Sequence, residues 1–317
     1  MAAVILRVKG WIRVVGFDDI NTSDDTIANY ECHDHIMPLT DDEFNIIRKD
    51  PEKILLLGND PFAAGYYAGD GLADMLEDRT GASVYNCSVS GSYISMKEPA
   101  FDMSRNPQNI YSLYYLTCVA CMDLDYSPDL NTAKRAMGAE APVEGPDVLR
   151  ALSELDMESI DVIVIFYDGN DYLLNAPPGL DETRFSDPYC TYIGGFAAAI
   201  DLLKKTAPQA RIIVMSAPYM YHVTVDGSKW LPNEDYPNRQ GADLSDYVLN
   251  QYNLCINAGN VSFVDDYYTG VNIDTGHDLL RDGRYLNDKG REVVLDRLMY
   301  ALTYFDEDNI GKVEIPK

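Results

Sequence analysis

The chain has 317 residues, 46% of them hydrophobic, and its 51 acidic against 25 basic side chains give a formal charge of -26. The length is enough for one large domain or two small ones, and the apolar content is ordinary for a globular protein with a sizeable core. The charge argues against nucleic acid as a partner, because phosphate recognition needs a basic footprint, and it disfavours polyanions generally.

No apolar run approaches the ~20 residues that a membrane span requires. The opening stretch MAAVILRVKGWIRVV mixes apolar and basic residues and lacks the uninterrupted apolar region and cleavage site of a signal peptide. It reads either as a strand or as a membrane-proximal segment. Residues 16–50 are polar and acidic, so residues 1–50 are expected to form an N-terminal arm on a single domain spanning 51–310.

From Lys53 onward, apolar runs alternate with helical patterns. ILLLG (54–58) is the first predicted strand. GDGLADMLEDRTG (69–81) is a helix with Leu72, Met75 and Leu76 on one face and Gly81 as its stop. ASVYNCSVSG (82–91) is a strand that runs into a loop, and residues 109–122 and 146–155 carry helical patterns. The link between those two helices, with Pro128, Gly138, Pro142 and Gly145, reads as irregular. IDVIVIFYDGND (160–171) contains a third strand, apolar on both faces, as a parallel strand covered on both sides must be. Two helix–strand pairs follow (192–206 with 211–218, then 244–258 with 261–266), and a last helix spans 287–305. The alternation predicts an α/β fold, a three-layer α/β/α sandwich on a five-stranded, mostly parallel sheet. Functional groups then belong at the carboxyl ends of the strands.

Six cysteines carry little signal. Cys118 and Cys121 form a CxxC pair inside the apolar stretch YSLYYLTCVACM, without a second pair or a histidine beside it. Zinc needs four ligands at matched spacing, so both thiols read as buried helix residues. The compartment stays open on cysteine usage alone.

Four polar marks follow strands in this scheme. They are Gly58-Asn59-Asp60, Ser90-Gly91, Asp168-Gly169-Asn170-Asp171 and Asp282-Gly283-Arg284-Tyr285. In their order and setting, over roughly residues 53–305, the chain resembles the SGNH (GDSL) hydrolases, a family of esterases, lipases and acylhydrolases with a flavodoxin-like α/β/α sandwich. The family's Gly-Asp-Ser block matches LLLGND, with Asp60 where the nucleophilic serine stands. Its second block matches VYNCSVSGS, with Gly91 as a backbone oxyanion donor. Its Gly-x-Asn-Asp block matches FYDGND, with Asn170 as the side-chain oxyanion donor and Asp168 in the glycine place. Its Asp-x-x-His block matches RDGRYLN, with Asp282 in the orienting place and Tyr285 in that of the histidine.

The resemblance therefore implies catalytic positions at Asp60, Gly91, Asn170, Asp282 and Tyr285 with the two proton-moving groups exchanged. A serine nucleophile needs a base beside it, and a tyrosine, with a reference pKa of about 10, is a poor one at neutral pH. Attack by the Asp60 carboxylate would give an anhydride that still needs activated water. The expectation is a weak or inactive hydrolase whose Asp60 carboxylate fills its own oxyanion cradle, with Asp60 and Asp282 close together and the Tyr285 hydroxyl donating to one of them. Two near carboxylates raise one pKa.

Alternatives remain at the sequence level. His277, in DTGH with Asp274, is a displaced base or a loop histidine. His33 and His35, in ECHDH with Glu31 and Asp34, reach over the site, bind metal, or sit in an exposed arm. Ser88, Ser90 and Ser92 offer a shifted nucleophile or are ordinary loop hydroxyls. Asp60, Asp168, Asp171 and Asp282, if they converge, suit Ca²⁺ or Mg²⁺, which would permit metal-dependent hydrolysis; otherwise Asp171 caps a turn and Asp168 faces solvent. No metal or cofactor is expected in the favoured reading. The chain has 23 tyrosines, and nine of those in loops (Tyr66, Tyr67, Tyr93, Tyr167, Tyr172, Tyr219, Tyr221, Tyr267 and Tyr268) either pack or face a sugar. The partner expected is a small ester or a glycan, such as an acylated carbohydrate or cell-surface polymer, and that lineage leans toward a location outside the cytoplasm.

Overall fold

The computed structural model describes residues 33–37, 51–180 and 187–303. Its centre is a sheet of five parallel strands in the order β2-β1-β3-β4-β7. These are β1 (Lys53–Gly58), β2 (Ser83–Asn86), β3 (Val162–Phe166), β4 (Arg211–Met215) and β7 (Val261–Val264). The short ribbon strands β5 (His222–Val223) and β6 (Trp230–Leu231) pair with each other, as do β8 (Leu280–Arg281) and β9 (Tyr285–Leu286).

After the leading Lys53 of β1 and Arg211 of β4, the inner strands β1, β3 and β4 are continuous apolar runs, and every residue of β3, β4 and β7 is buried. Only coverage on both faces allows this. Helices Leu72–Thr80 and Asp288–Thr303 pack together and are tied by the exposed pairs of Arg79 with Glu292 and Asp296. Helices Leu113–Cys121, Gly145–Glu154, Tyr192–Thr206 and Leu244–Ala258 form the other contiguous group. Right-handed crossovers place these two groups on opposite faces. The order is the flavodoxin-like one, whose switch point lies between β1 and β3. This is the three-layer sandwich that the resemblance implied.

β1 and β3 approach so closely at their ends that a Cβ on Gly58 would lie 2.3 Å from the Phe166 carbonyl oxygen. Glycine is therefore required at the point where the chain leaves the sheet and turns into the short helix Asp60–Ala63. Side chains just past this crossing are delivered to the rim.

The link expected to be irregular holds the helix Ser127–Met137. Of its residues only Ala133 is fully buried, so the apolar periodicity that announces a helix is weak there. Tertiary contact supplies what periodicity lacks, because the Tyr115 hydroxyl donates to Asp129 at 2.7 Å. Of the arm expected over 1–50, only residues 33–37 are described, and residues 304–310 of the expected domain are likewise outside the described set. The 33–37 segment is half-buried rather than loose. His35 makes an antiparallel bridge to Phe263 at the edge of β7, and Asp34 pairs with Arg297 at 2.8 Å. Cys118 and Cys121 lie in helix Leu113–Cys121, where burial pushes their thiols up to about 12 and about 11. Among the described residues no helix is long and apolar enough to cross a membrane.

Candidate active site

Asn59, the first residue past β1, is fully buried and works as a staple. Its Nδ2 donates to the Ser92 carbonyl at 3.0 Å and to Asp168 Oδ1 at 2.7 Å, and its Oδ1 accepts from the Asp168 N–H at 2.8 Å. One amide thus locks together the exits of β1 and β3 and the loop after β2. A buried amide that satisfies all these partners makes the rim rigid.

Asp60 follows. Its Oδ2 accepts from the Gly91 N–H at 3.1 Å and from Asn170 Nδ2 at 3.3 Å. Gly91 has a φ of 70°, a left-handed conformation that glycine adopts without strain and that turns its N–H toward Asp60. Two buried carboxylates hold the loop on either side of it. Glu144 Oε1 accepts from the Ser90 N–H at 2.7 Å. Asp171 accepts from the N–H groups of Ile94 and Ser95 at 2.8 and 2.9 Å and from Ser95 Oγ at 2.6 Å.

Asn170 serves two partners through Nδ2, donating also to the Ser92 carbonyl at 3.0 Å. Its Oδ1 accepts from Arg284 Nη2, and the same nitrogen donates to Asp168 Oδ2 at 3.1 Å. Arg284 orients the Asn170 amide, since an amide whose oxygen faces a guanidinium must present its nitrogen to Asp60. Burial works against the Arg284 charge, but Asp168, Tyr285 and Asp60 more than offset it, and its pKa is raised. Asp60 is also raised, by burial first and the Asp168 charge second, against the opposing pull of Gly91, Arg284 and Asn170.

Several expectations need correction. Asp282 does not join this cluster: it occupies the turn between β8 and β9 with a φ of 55°, and its side chain is 78% exposed, 3.7 Å from Arg281. The second carboxylate beside Asp60 is Asp168, which is buried rather than facing solvent. Tyr285 lines the same cavity as Asp60, yet its hydroxyl makes no hydrogen bond to Asp60 or Asp282; its ring lies under the Arg284 guanidinium, 5.0 Å from the centroid. The four-carboxylate convergence fails too, because Asp171 points into the loop of Ile94 and Ser95 and Asp282 points out. Among the described residues no group of three His, Cys, Asp or Glu side chains is placed to hold a metal ion.

The other candidates sit elsewhere. His277 is stacked on Trp230, 5.1 Å between centroids at an interplanar angle of 8°, and packs on Tyr221. His33 is held at β7, with its N–H on Asp265 Oδ2 at 2.9 Å. Ser88 and Ser92 are buried and Ser90 is exposed. Of the nine loop tyrosines, six are buried in packing, and Tyr67 is the most exposed, at 62%.

Sequence reasoning passed over Arg284 and the stapling role of Asn59. The available signal was RDGRY, where two arginines flank a Gly turn in an acid-rich chain. With Arg281, Arg291 and Tyr285, Arg284 lines a cavity of about 410 Å³ that Asp60 and Asp70 also line.

No family model matches the sequence, and no curated protein matches it. Solved structures do. One crystal structure shares 20% identity with this chain, covers 80% of it and 97% of its own length, and superposes with a TM-score of 0.53. A Lactobacillus plantarum protein from a structural genomics programme shares 18% identity, covers 80% of this chain and 98% of its own, and has a TM-score of 0.51. A possible lipase from Chitinophaga pinensis shares 14% identity over 78% of this chain and 95% of its own, with a TM-score of 0.47. At such identities the first two likenesses speak to the fold, an α/β sandwich on a parallel sheet.

Proposed function

We propose that this chain belongs to the SGNH hydrolase lineage and binds an acylated carbohydrate with little or no hydrolysis. One observation carries the reading: the Asp60 carboxylate accepts from both donors, Gly91 N–H and Asn170 Nδ2, that the resemblance assigns to the oxyanion cradle. Such donors act by meeting the negative oxygen that develops on an attacked carbonyl. A resident carboxylate removes that stabilisation from any substrate. No imidazole lines the cavity to generate a nucleophile, and His277 is engaged in its aromatic stack. The open space beside Asp60, with Tyr285 and Asp70 on its walls, has the size and the mixed aromatic and acceptor surface that a sugar ring uses.

Short-chain nitrophenyl esters test this, with and without EDTA. The expected result is turnover indistinguishable from buffer in both. EDTA-sensitive turnover would replace this reading with a metal-dependent one, and EDTA-resistant turnover lost in His277→Ala would replace it with a relocated base. The double variant Asp60→Ser with Tyr285→His is expected to gain measurable esterase activity. With Asp282 turned to solvent, the new imidazole lacks an orienting carboxylate, so the gain should stay near the residual about 10³–10⁴ over water that incomplete triads retain.

A further inference from the structure

We infer that the cavity beside Asp60 recognises a sugar carrying one anionic group, a carboxylate or a phosphate, through the guanidinium of Arg281. This deepens the carbohydrate reading above and rests on it.

The wall is unusual for this molecule. In a chain with 25 basic residues and a charge of -26, Arg281, Arg284 and Arg291 all line one cavity. Arg281 ends the first strand of the hairpin made by Leu280–Arg281 and Tyr285–Leu286, Arg284 lies in its turn, and both guanidinium groups lie on the Tyr285 ring, 6.0 and 5.0 Å from its centroid. Arginine stays charged at every physiological pH, so neither group escapes the other by losing a proton.

Their partners differ. Arg284 is committed to Asp168 at 3.1 Å and to Asn170. Arg291 is paired with Asp288 at 2.6 Å. Among the described residues Arg281 has only Asp282, at 3.7 Å, and both side chains are largely exposed. That separation is too long for a hydrogen bond. The Arg281 fork therefore stands open at the cavity's edge, held over an aromatic ring, and a guanidinium fork matches the two oxygens of a carboxylate or phosphate.

The rest of the lining argues for a sugar rather than a bare anion. Asp70, which lines the same cavity with Ala64 and Gly65, is an acceptor for hydroxyl groups and repels a second negative charge. The volume of about 410 Å³ falls low in the range of small-molecule sites. The overall negative field opposes long polyanions, but a single contact inside the Debye length of about 8 Å is governed by its local partners. One anion at the arginine wall and hydroxyls toward Asp70 satisfy both sides.

Ligand-observed NMR titration of the full chain tests this with three disaccharides of one skeleton: cellobiose, the same sugar with a terminal uronate, and the same sugar with a terminal 6-phosphate. The expected result is that at least one acidic form binds about tenfold or more tighter than the neutral form, and that Arg281→Ala abolishes the difference while Arg281→Lys keeps part of it. The two acidic arms separate carboxylate from phosphate. Arg281 is exposed, so unchanged thermal melts will certify the folding of the variants. Equal binding of neutral and acidic sugars, or acid binding unaltered in Arg281→Ala, overturns the inference and leaves the carbohydrate reading standing. Absence of binding by all three, together with ester turnover by the wild type, overturns both.

Discussion

Arg284 and Asp168, 116 residues apart in the chain, meet at 3.1 Å, and the same guanidinium nitrogen reaches the Asn170 side-chain oxygen. One cation thus neutralises the carboxylate behind the cradle and aims the amide that forms half of it. The side chains are 22% and 6% exposed, so this pair is shielded from solvent more than an ordinary surface ion pair.

Arg284→Ala should therefore cost about 2–3 kcal/mol, less than the about 3–5 of a fully buried pair, because Asp168 keeps its bonds from Asn59 and Asn170 and water reaches the pair's edge. The double variant with Asp168→Asn should lose less than the sum of the two single losses, as contacting residues do. Additive losses in chemical denaturation would show that the pair is not coupled.

Asp60 offers a pH test. Its folded pKa lies above the ordinary 3.8, chiefly through burial and the Asp168 charge. For an acid raised in the folded state, the ionised form is penalised by folding, so the penalty is full above the folded pKa and gone below the unfolded one. Asp60→Asn should raise the melting temperature at neutral pH, by about 2–4 °C if the relief is about 1 kcal/mol. The advantage should vanish as the pH falls below 3.8. A gain that persists in acid would mean that it does not come from relief of the charge, and a loss at neutral pH would mean that the carboxylate is stabilised by its cradle more than burial opposes it.

Asp171 combines the same sign with a structural duty. Burial pushes it up to about 6 from 3.8, against the bonds from Ile94 and Ser95. The wild type should lose stability as the pH rises between 3.8 and about 6, because the folded state there holds a proton that the unfolded state releases. Asp171→Asn should flatten that slope. It should also be less stable throughout, by about 1–3 kcal/mol, since Ile94 and Ser95 donate to different oxygens of Asp171 and an amide NH₂, a donor only, leaves one of them without an acceptor. Thermal melts across this range check both statements.

Much of the fold was legible from Lys53 onward, since a strand covered on both faces must be a continuous apolar run. VIVIF and RIIVM announced β3 and β4 on that ground, and the Gly-Asn-Asp punctuation located the rim. The helix Ser127–Met137 was not legible, because it buries almost nothing and is held by contacts such as that of Tyr115 with Asp129.

The site divides in the same way. Which residue types replace the serine and histidine of the resembled motifs, Asp60 and Tyr285, is a property of the string alone, as is the crowding of apolar residues into buried strands. Directions are not. Asp282, in the turn at a φ of 55°, turns outward to solvent, and Arg284, two positions on, turns inward to Asp168. Hydrophobic patterning is local and repeats along the chain, whereas the pairing of charges brought together over 116 residues depends on how strands and turns are placed in space, and only the tertiary structure decides that.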